Sequence, residues 1–229
     1  MNQLIERFYL NFIKEDRYHY ILSGLGVTLT ITFFAVVIGI VLGFIVAVIR
    51  SAYDKTGKGI ILNALCNIYL TVIRGTPVVL QLLITYFIIF SAVDVNKVFV
   101  AIIAFGINSG AYVAEIIRSG IMSVDNGQFE AGRSLGFTYS QTMIYFILPQ
   151  AFKNVLPALG NEFIVLLKET SVAGYIALQD LTKGADVIRS RTFDAFMPLM
   201  AVAAIYLGMV MLFDKGVKCL ERRLRNSDH

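Results

Sequence analysis

Long apolar blocks alternate with short polar breaks along this chain, and most of the blocks are long enough to cross a membrane. Five can be drawn, over residues 21–49, 60–90, 98–117, 155–167 and 196–213. A spanning helix needs about 20 apolar residues, so the fourth block is marginal and is expected to extend at both ends. The second is interrupted at Arg74-Gly75-Thr76-Pro77. Gly75 frees the backbone, Thr76 can cap a helix, and Pro77 suits a first helical position. The pattern predicts two helices there. The break is either a kink near the surface or a broken membrane helix whose backbone dipoles meet a ligand. Residues 4–13 read as a short amphipathic helix on the membrane surface. The expected fold class is an all-α membrane protein. It has an N-terminal segment (1–20), a five-helix domain (21–213) and a basic tail (214–229).

Composition sharpens this picture. Hydrophobic residues make up 57% of the chain and charged residues 16%, against about 25% charged in soluble domains. The first twenty residues include Glu6, Arg7, Lys14, Glu15, Asp16 and Arg17 and do not read as a cleavable signal peptide. The net charge of +4 requires no nucleic acid, because Lys and Arg beside spanning helices hold loops in the cytoplasm. Arg50, Lys55 and Lys58 follow the first block. Lys215, Lys218, Arg222, Arg223 and Arg225 follow the fifth. With five spans, the N-terminus is then outside, the C-terminus inside, and the protein a multi-pass component of the cytoplasmic (inner) membrane. Four basic residues between 168 and 191 run against this rule, with Asp180 and Asp186 only partly balancing them.

Cys66 and Cys219 read as isolated thiols. His19 and His229 lie far apart, so no metal cluster is expected. Gly57-Lys58 lacks the upstream Gly and following Ser or Thr of a phosphate cradle. No catalytic residues are expected. Any ATP and Mg that drive transport belong to another subunit.

Polar side chains inside the apolar blocks are the candidate chemistry, because charge at bilayer depth is costly and usually faces protein or water. In the fourth block Asn154, Ala158, Asn161, Glu162, Val165 and Glu169 share one helical side. Glu162 is the deepest acid. It reads either as a partner for a cationic ligand or as a member of an internal ion pair or hydrogen bond. In the third block Asn108, Tyr112, Glu115 and Ser119 form a second stripe, in which Glu115 has Arg118 as a possible partner. In the first block Gly39 and Gly43 read as close helix packing, and Thr28 is a candidate for lining a path. Thr76 joins the candidates through the broken helix.

Between the third and fourth blocks lies a polar island, Glu130 to Pro149, reading EAGRSLGFTYSQTMIYFILP. It is too short for a domain and too patterned for a spacer, and it reads as a docking element for a soluble partner. Its spacings resemble the EAA loop of permease subunits of ABC importers. Glu130-Ala131-Gly132, Gly136, Phe146 and Leu148-Pro149 sit at the family positions, with Gly132 in place of the second Ala and Phe146 in place of Ile. Arg74-Gly75-Thr76-Pro77, the run from Ala111 to Gly132 and the run from Asn161 to Ser171 are similar to the polar amino-acid branch of those permeases.

The resemblance implies a type I-like permease of five helices working as a dimer, expected to pair identical chains. Cytoplasmic coupling helices within about 119–152 would dock on an ATPase subunit dimer through Glu130, Ala131, Gly132, Arg133 and Gly136. An extracytoplasmic binding protein would deliver the amino acid. Glu162, Asn161, Asn108, Glu115, Thr76 and Thr28 are the expected substrate residues. Glu162 stands where neutral-substrate members often carry Asn, which points to arginine, lysine or histidine. A neutral cargo such as glutamine is the alternative. The other classes are a carrier or channel working without an ATPase, and a scaffold subunit that moves nothing.

Overall fold

The computed structural model describes residues 2–225; the end of the expected tail, 226–229, lies outside the described residues and takes His229 with it. Among the described residues every regular element is helical. Helix α1 (Asn2–Phe8) runs into a single π-helical turn (Tyr9–Ile13) and then reverses. Glu15 and Asp16 make the reversal with φ of 58° and 51°, a region L-residues seldom enter. Buried Arg17 holds it: Nη1 donates to Leu10 O at 2.9 Å and Nη2 to Glu15 Oε2 at 3.0 Å.

Helix α2 (Tyr18–Thr56) has 39 residues, a length of about 58 Å at the usual helical rise. The second block is two helices, α3 (Ile60–Gly75) and α4 (Val78–Ile84), the latter extended by a π-helical turn (Thr85–Ile89) and bent 111° from α3. Then come α5 (Lys97–Met122), α6 (Asn126–Ser134), the single turn α7 (Tyr139–Thr142) and α8 (Leu148–Glu169). A 3₁₀ stretch (Thr170–Ile176) leads to α9 (Leu181–Thr192) and α10 (Phe196–Arg225).

The fourth block does extend at both ends, to the 22 residues of α8. The fifth does not stop at 213. Helix α10 continues to Arg225, so the described part of the expected tail is helical. Good helix formers and the Asp214–Lys218 pair, four apart and 2.7 Å between charges, favour the continuation. Among the described residues α2, α5 and α10 are long and apolar enough to cross a membrane, and the bent α3–α4 pair makes a fourth if it is one span.

Helix α5 is the hub. Gly39 and Gly43 of α2 give it a close seat: a Cβ on Gly39 would lie 2.7 Å from Ser109 Oγ, and one on Gly43 would lie 2.6 Å from Val113 Cγ1. This is the packing expected of the pair. The main core joins Ile31, Leu82, Phe105, Leu166 and Ile176. A second core gathers Phe12, Ile21, Leu181, Ile188 and Val202 where α9 meets the chain's first turns. Asn11 ties that region together. Its Nδ2 donates to Asp194 Oδ2 at 3.0 Å, and its Oδ1 accepts from Thr192 Oγ1 at 2.9 Å.

Candidate functional site

Three helices bring the two polar stripes together around one cavity of about 400 Å³. Helix α5 contributes Tyr112, Glu115 and Ser119; α8 contributes Asn154, Ala158 and Glu162; Arg74 enters from the end of α3. Spacings of three and four on α5 and of four on α8 put each set on one helical face. Asn154 Nδ2 donates to Ser123 Oγ at 2.8 Å and joins the two walls at the end nearer α6.

Glu162 is 8% exposed and accepts a hydrogen bond from Ser109 Oγ at 2.8 Å. The Gly39 seat that admits α2 beside Ser109 therefore also encloses the deepest acid. Among the described residues no cation forms an ion pair with Glu162, and the Ser109 hydroxyl is its side-chain hydrogen-bond partner. Glu115 lies 3.5 Å from Arg74 Nη1 and 3.6 Å from Arg118 Nε. The second of these is the partner expected from sequence. The side chains of Arg74, Arg118 and Glu115 are 43%, 42% and 31% exposed, and pairs this wet contribute at most about 1 kcal/mol each.

The other expected substrate residues stand elsewhere. Asn161 is exposed and off the cavity; one residue is about 100° of helix rotation away from Glu162. Thr28 is fully buried, and its Oγ1 accepts from the Leu181 N–H at 3.1 Å, tying α2 to α9. Asn108 is buried one turn beyond the cavity and donates to Gln81 Oε1 at 3.0 Å. Thr76 does not cap α4. Its hydroxyl donates back to Val72 O at 2.8 Å, and Pro77 precedes α4 with no side-chain cap. The break is instead closed by Gln81, whose Nε2 donates to Ile73 O at 2.8 Å and to Thr76 Oγ1 at 2.9 Å. Sequence reasoning missed Gln81, Ser109 and the reach of Arg74. A Gln four residues past Pro77 in an apolar run was the available signal.

The polar island folds as two short helices with a defined corner. Asp125 caps α6 by accepting from Gly127 N at 2.6 Å. At its end, Phe137 N donates to Gly132 O at 3.2 Å and Gly136 N to Arg133 O at 3.0 Å. This paired closure needs a left-handed residue, and Gly136 supplies it with φ +86°. Thr138 and Gln141 cap α7 reciprocally. Glu130, Ala131, Arg133 and Gly136 are exposed. Gly132 is buried, and a Cβ there would lie 2.7 Å from Thr142 Cγ2. It packs α6 on α7 and presents nothing outward. Leu135, 73% exposed at the corner, was not singled out, although an apolar residue beside Gly136 in a polar island was visible.

A second cavity, about 420 Å³, lies at the far end beside α9 and holds Asp180, Lys183, Asp186 and Arg189. Its charges are largely matched. Lys183 Nζ is 2.7 Å from Asp186, Arg189 contacts the same carboxylate, and Asp180 caps α9. Lys183 and then Arg189 hold the Asp186 carboxyl below its ordinary range.

The family of binding-protein-dependent transport system inner membrane components matches residues 39–226. The chain is 37% identical over 211 residues to the arginine transport system permease protein ArtQ of Bacillus subtilis, covering 91% of this chain and 94% of that one. It is 38% identical over 216 residues to the "Probable glutamine ABC transporter permease protein GlnM" of the same organism, covering 94% and 98%. In the crystal structure of an amino acid ABC transporter with histidines, one chain is 43% identical and superposes with a TM-score of 0.84, over 93% of this chain and 98% of that one.

Proposed function

This chain belongs to the family of binding-protein-dependent transport system inner membrane components, and from that premise we propose that it is the membrane subunit of an ATP-driven importer of a polar amino acid. It crosses the inner membrane five times, N-terminus outside and C-terminus inside. The spans are α2, the α3–α4 pair, α5, α8 and α10. The α6–α7 corner then lies in the cytoplasm and docks on an ATPase subunit through Glu130, Ala131, Arg133, Gly136 and Leu135. Two permease chains, two ATPase subunits and an external amino-acid-binding protein complete the machine. The chain itself is a transport subunit; ATP and Mg are held by the partner.

The cargo is a basic amino acid. One observation carries this: two carboxylates, Glu115 and Glu162, line one cavity, and Glu162 is buried against the Ser109 hydroxyl. A buried carboxylate of this kind is best satisfied by a cation. The similarity to an arginine permease and the transporter structure with histidines supports the reading. The similarity to GlnM supports the neutral alternative equally well by identity; the two carboxylates of the cavity favour the basic one. ATP-dependent uptake into proteoliposomes holding the complete complex tests both levels. Arginine, lysine or histidine should accumulate and outcompete glutamine. Glutamine uptake insensitive to basic amino acids would refute the substrate class. Flux through this chain without its ATPase would refute the ATP-driven reading.

A further inference from the structure

Arg74 lies in the last turn of α3 and reaches into the acid-lined cavity. Its Nη1 lies 3.5 Å from Glu115 Oε2, and its guanidinium carbon lies 5.8 Å from the centroid of the Tyr112 ring. Tyr112 and Glu115 are three residues apart on α5 and share one face. A carboxylate beside an aromatic face is a receptor for an organic cation. The pair is wet and weak, so the guanidinium is exchangeable and not a structural lock. Arg118, 3.6 Å from the other Glu115 oxygen, keeps that carboxylate partnered when Arg74 departs. Departure has room: the Arg74 side chain is 43% exposed, and the 111° break follows at once. The receptor lies between the Ser109–Glu162 pair and the end of the cavity lined by Ser119 and Ser123, about 9 Å along α5 from Ser109 at the helical rise.

We propose that Tyr112 and Glu115 form a second cation subsite, which Arg74 fills as a tethered stand-in until a cationic amino acid displaces it. The inference rests on the amino-acid permease reading and adds the residue that sets cation affinity there. Exchange with Arg74 weakens the hold on cargo beyond Glu162 and speeds its departure toward the α6 end. A neutral side chain does not compete for the subsite and is indifferent to Arg74.

Equilibrium binding to the purified full complex tests this, with arginine, lysine, histidine and glutamine as probes. Arg74→Gln should tighten binding of the tightest basic probe about tenfold, the combined worth of one exposed ion pair and one cation–π contact, and leave glutamine unchanged. Arg74→Lys should match the wild type. Adding Glu115→Gln to Arg74→Gln should remove the gain. An unchanged or weakened basic probe in Arg74→Gln, or an equal gain for glutamine, overturns the inference. If Arg74→Gln does not assemble, Glu115→Gln alone decides. It must weaken the basic probe at least about threefold and spare glutamine, and equal losses or none overturn the inference. A wild type that binds only glutamine refutes the basic-substrate reading instead. Arg74→Gln must then still admit a basic amino acid, or this inference fails as well.

Discussion

Glu162 is the residue on which the proposed substrate choice rests. Its carboxylate is buried and already holds the Ser109 hydroxyl, and an amide of the same shape keeps that bond without the charge. Glu162→Gln should therefore leave the complex assembled and lower uptake of basic amino acids more than about tenfold, as loss of a charge-assisted contact does. Uptake by proteoliposomes, with co-purification as the assembly check, measures both. Undiminished uptake removes Glu162 from the path. The residue scale is also where sequence was least sufficient. The stripes on α5 and α8 were legible because helical spacing is local. Asn161 falls outside the cavity because a seven-residue row is a broad sector, and one position inside it separates cavity from surface. Thr28 and Thr76 were read as path residues because a hydroxyl in an apolar block looks the same whether it faces cargo or a neighbouring backbone. Gln81 escaped notice because its partners at Ile73 and Thr76 depend on the angle of a break that no local pattern specifies.

At the scale of elements, glycines mark the positions where helices meet. Gly136 takes φ +86° at the α6 corner, and Gly57 takes +64° at the end of α2. Valine at either meets similar left-handed strain, on the order of 1–2 kcal/mol. Only Gly136→Val should depress the ATPase activity stimulated by binding protein, because only that corner is read as docking. Equal loss in Gly57→Val would assign the effect to stability alone. Gly184 acts differently: a Cβ there would collide with the Tyr20 carbonyl of α2. Gly184→Val should lower the thermal midpoint of the detergent-solubilised complex, by an overpacking cost of about 1–3 kcal/mol. An unchanged midpoint would show that α9 can move off α2 freely. The helices themselves were largely legible, since block lengths and the Arg74–Pro77 break are chain-local. The end of α10 was not, because hydrophobicity stops at 213 while helix propensity and the Asp214–Lys218 pair carry the helix on.

The whole molecule tests the topology. Leu135 is 73% exposed at one end and Phe193 is 95% exposed at the other. Single cysteines at 135 and 193, in a background where exposed Cys219 is replaced by Ser, should react with an impermeant thiol reagent from opposite sides. Position 135 should react only from the cytoplasm and 193 only from outside; the reverse would invert the chain. Sequence carried this arrangement only through its Lys and Arg, and the basic residues of α9 blurred it. The structure pairs two of them with Asp186, which sequence spacing allowed but did not require. The two ends are also built unlike one another. Asn11 bonds Thr192 and Asp194, and α9 lies flush on α2. At the opposite end, α6 and α7 rest mainly on each other and on the π-helical turn Met143–Ile147 that leads into α8. A pair of shears riveted at one tip opens at the other. On the proposed docking, a push at the α6 corner has leverage over the blades and little over the rivet, and the widest travel belongs on that side.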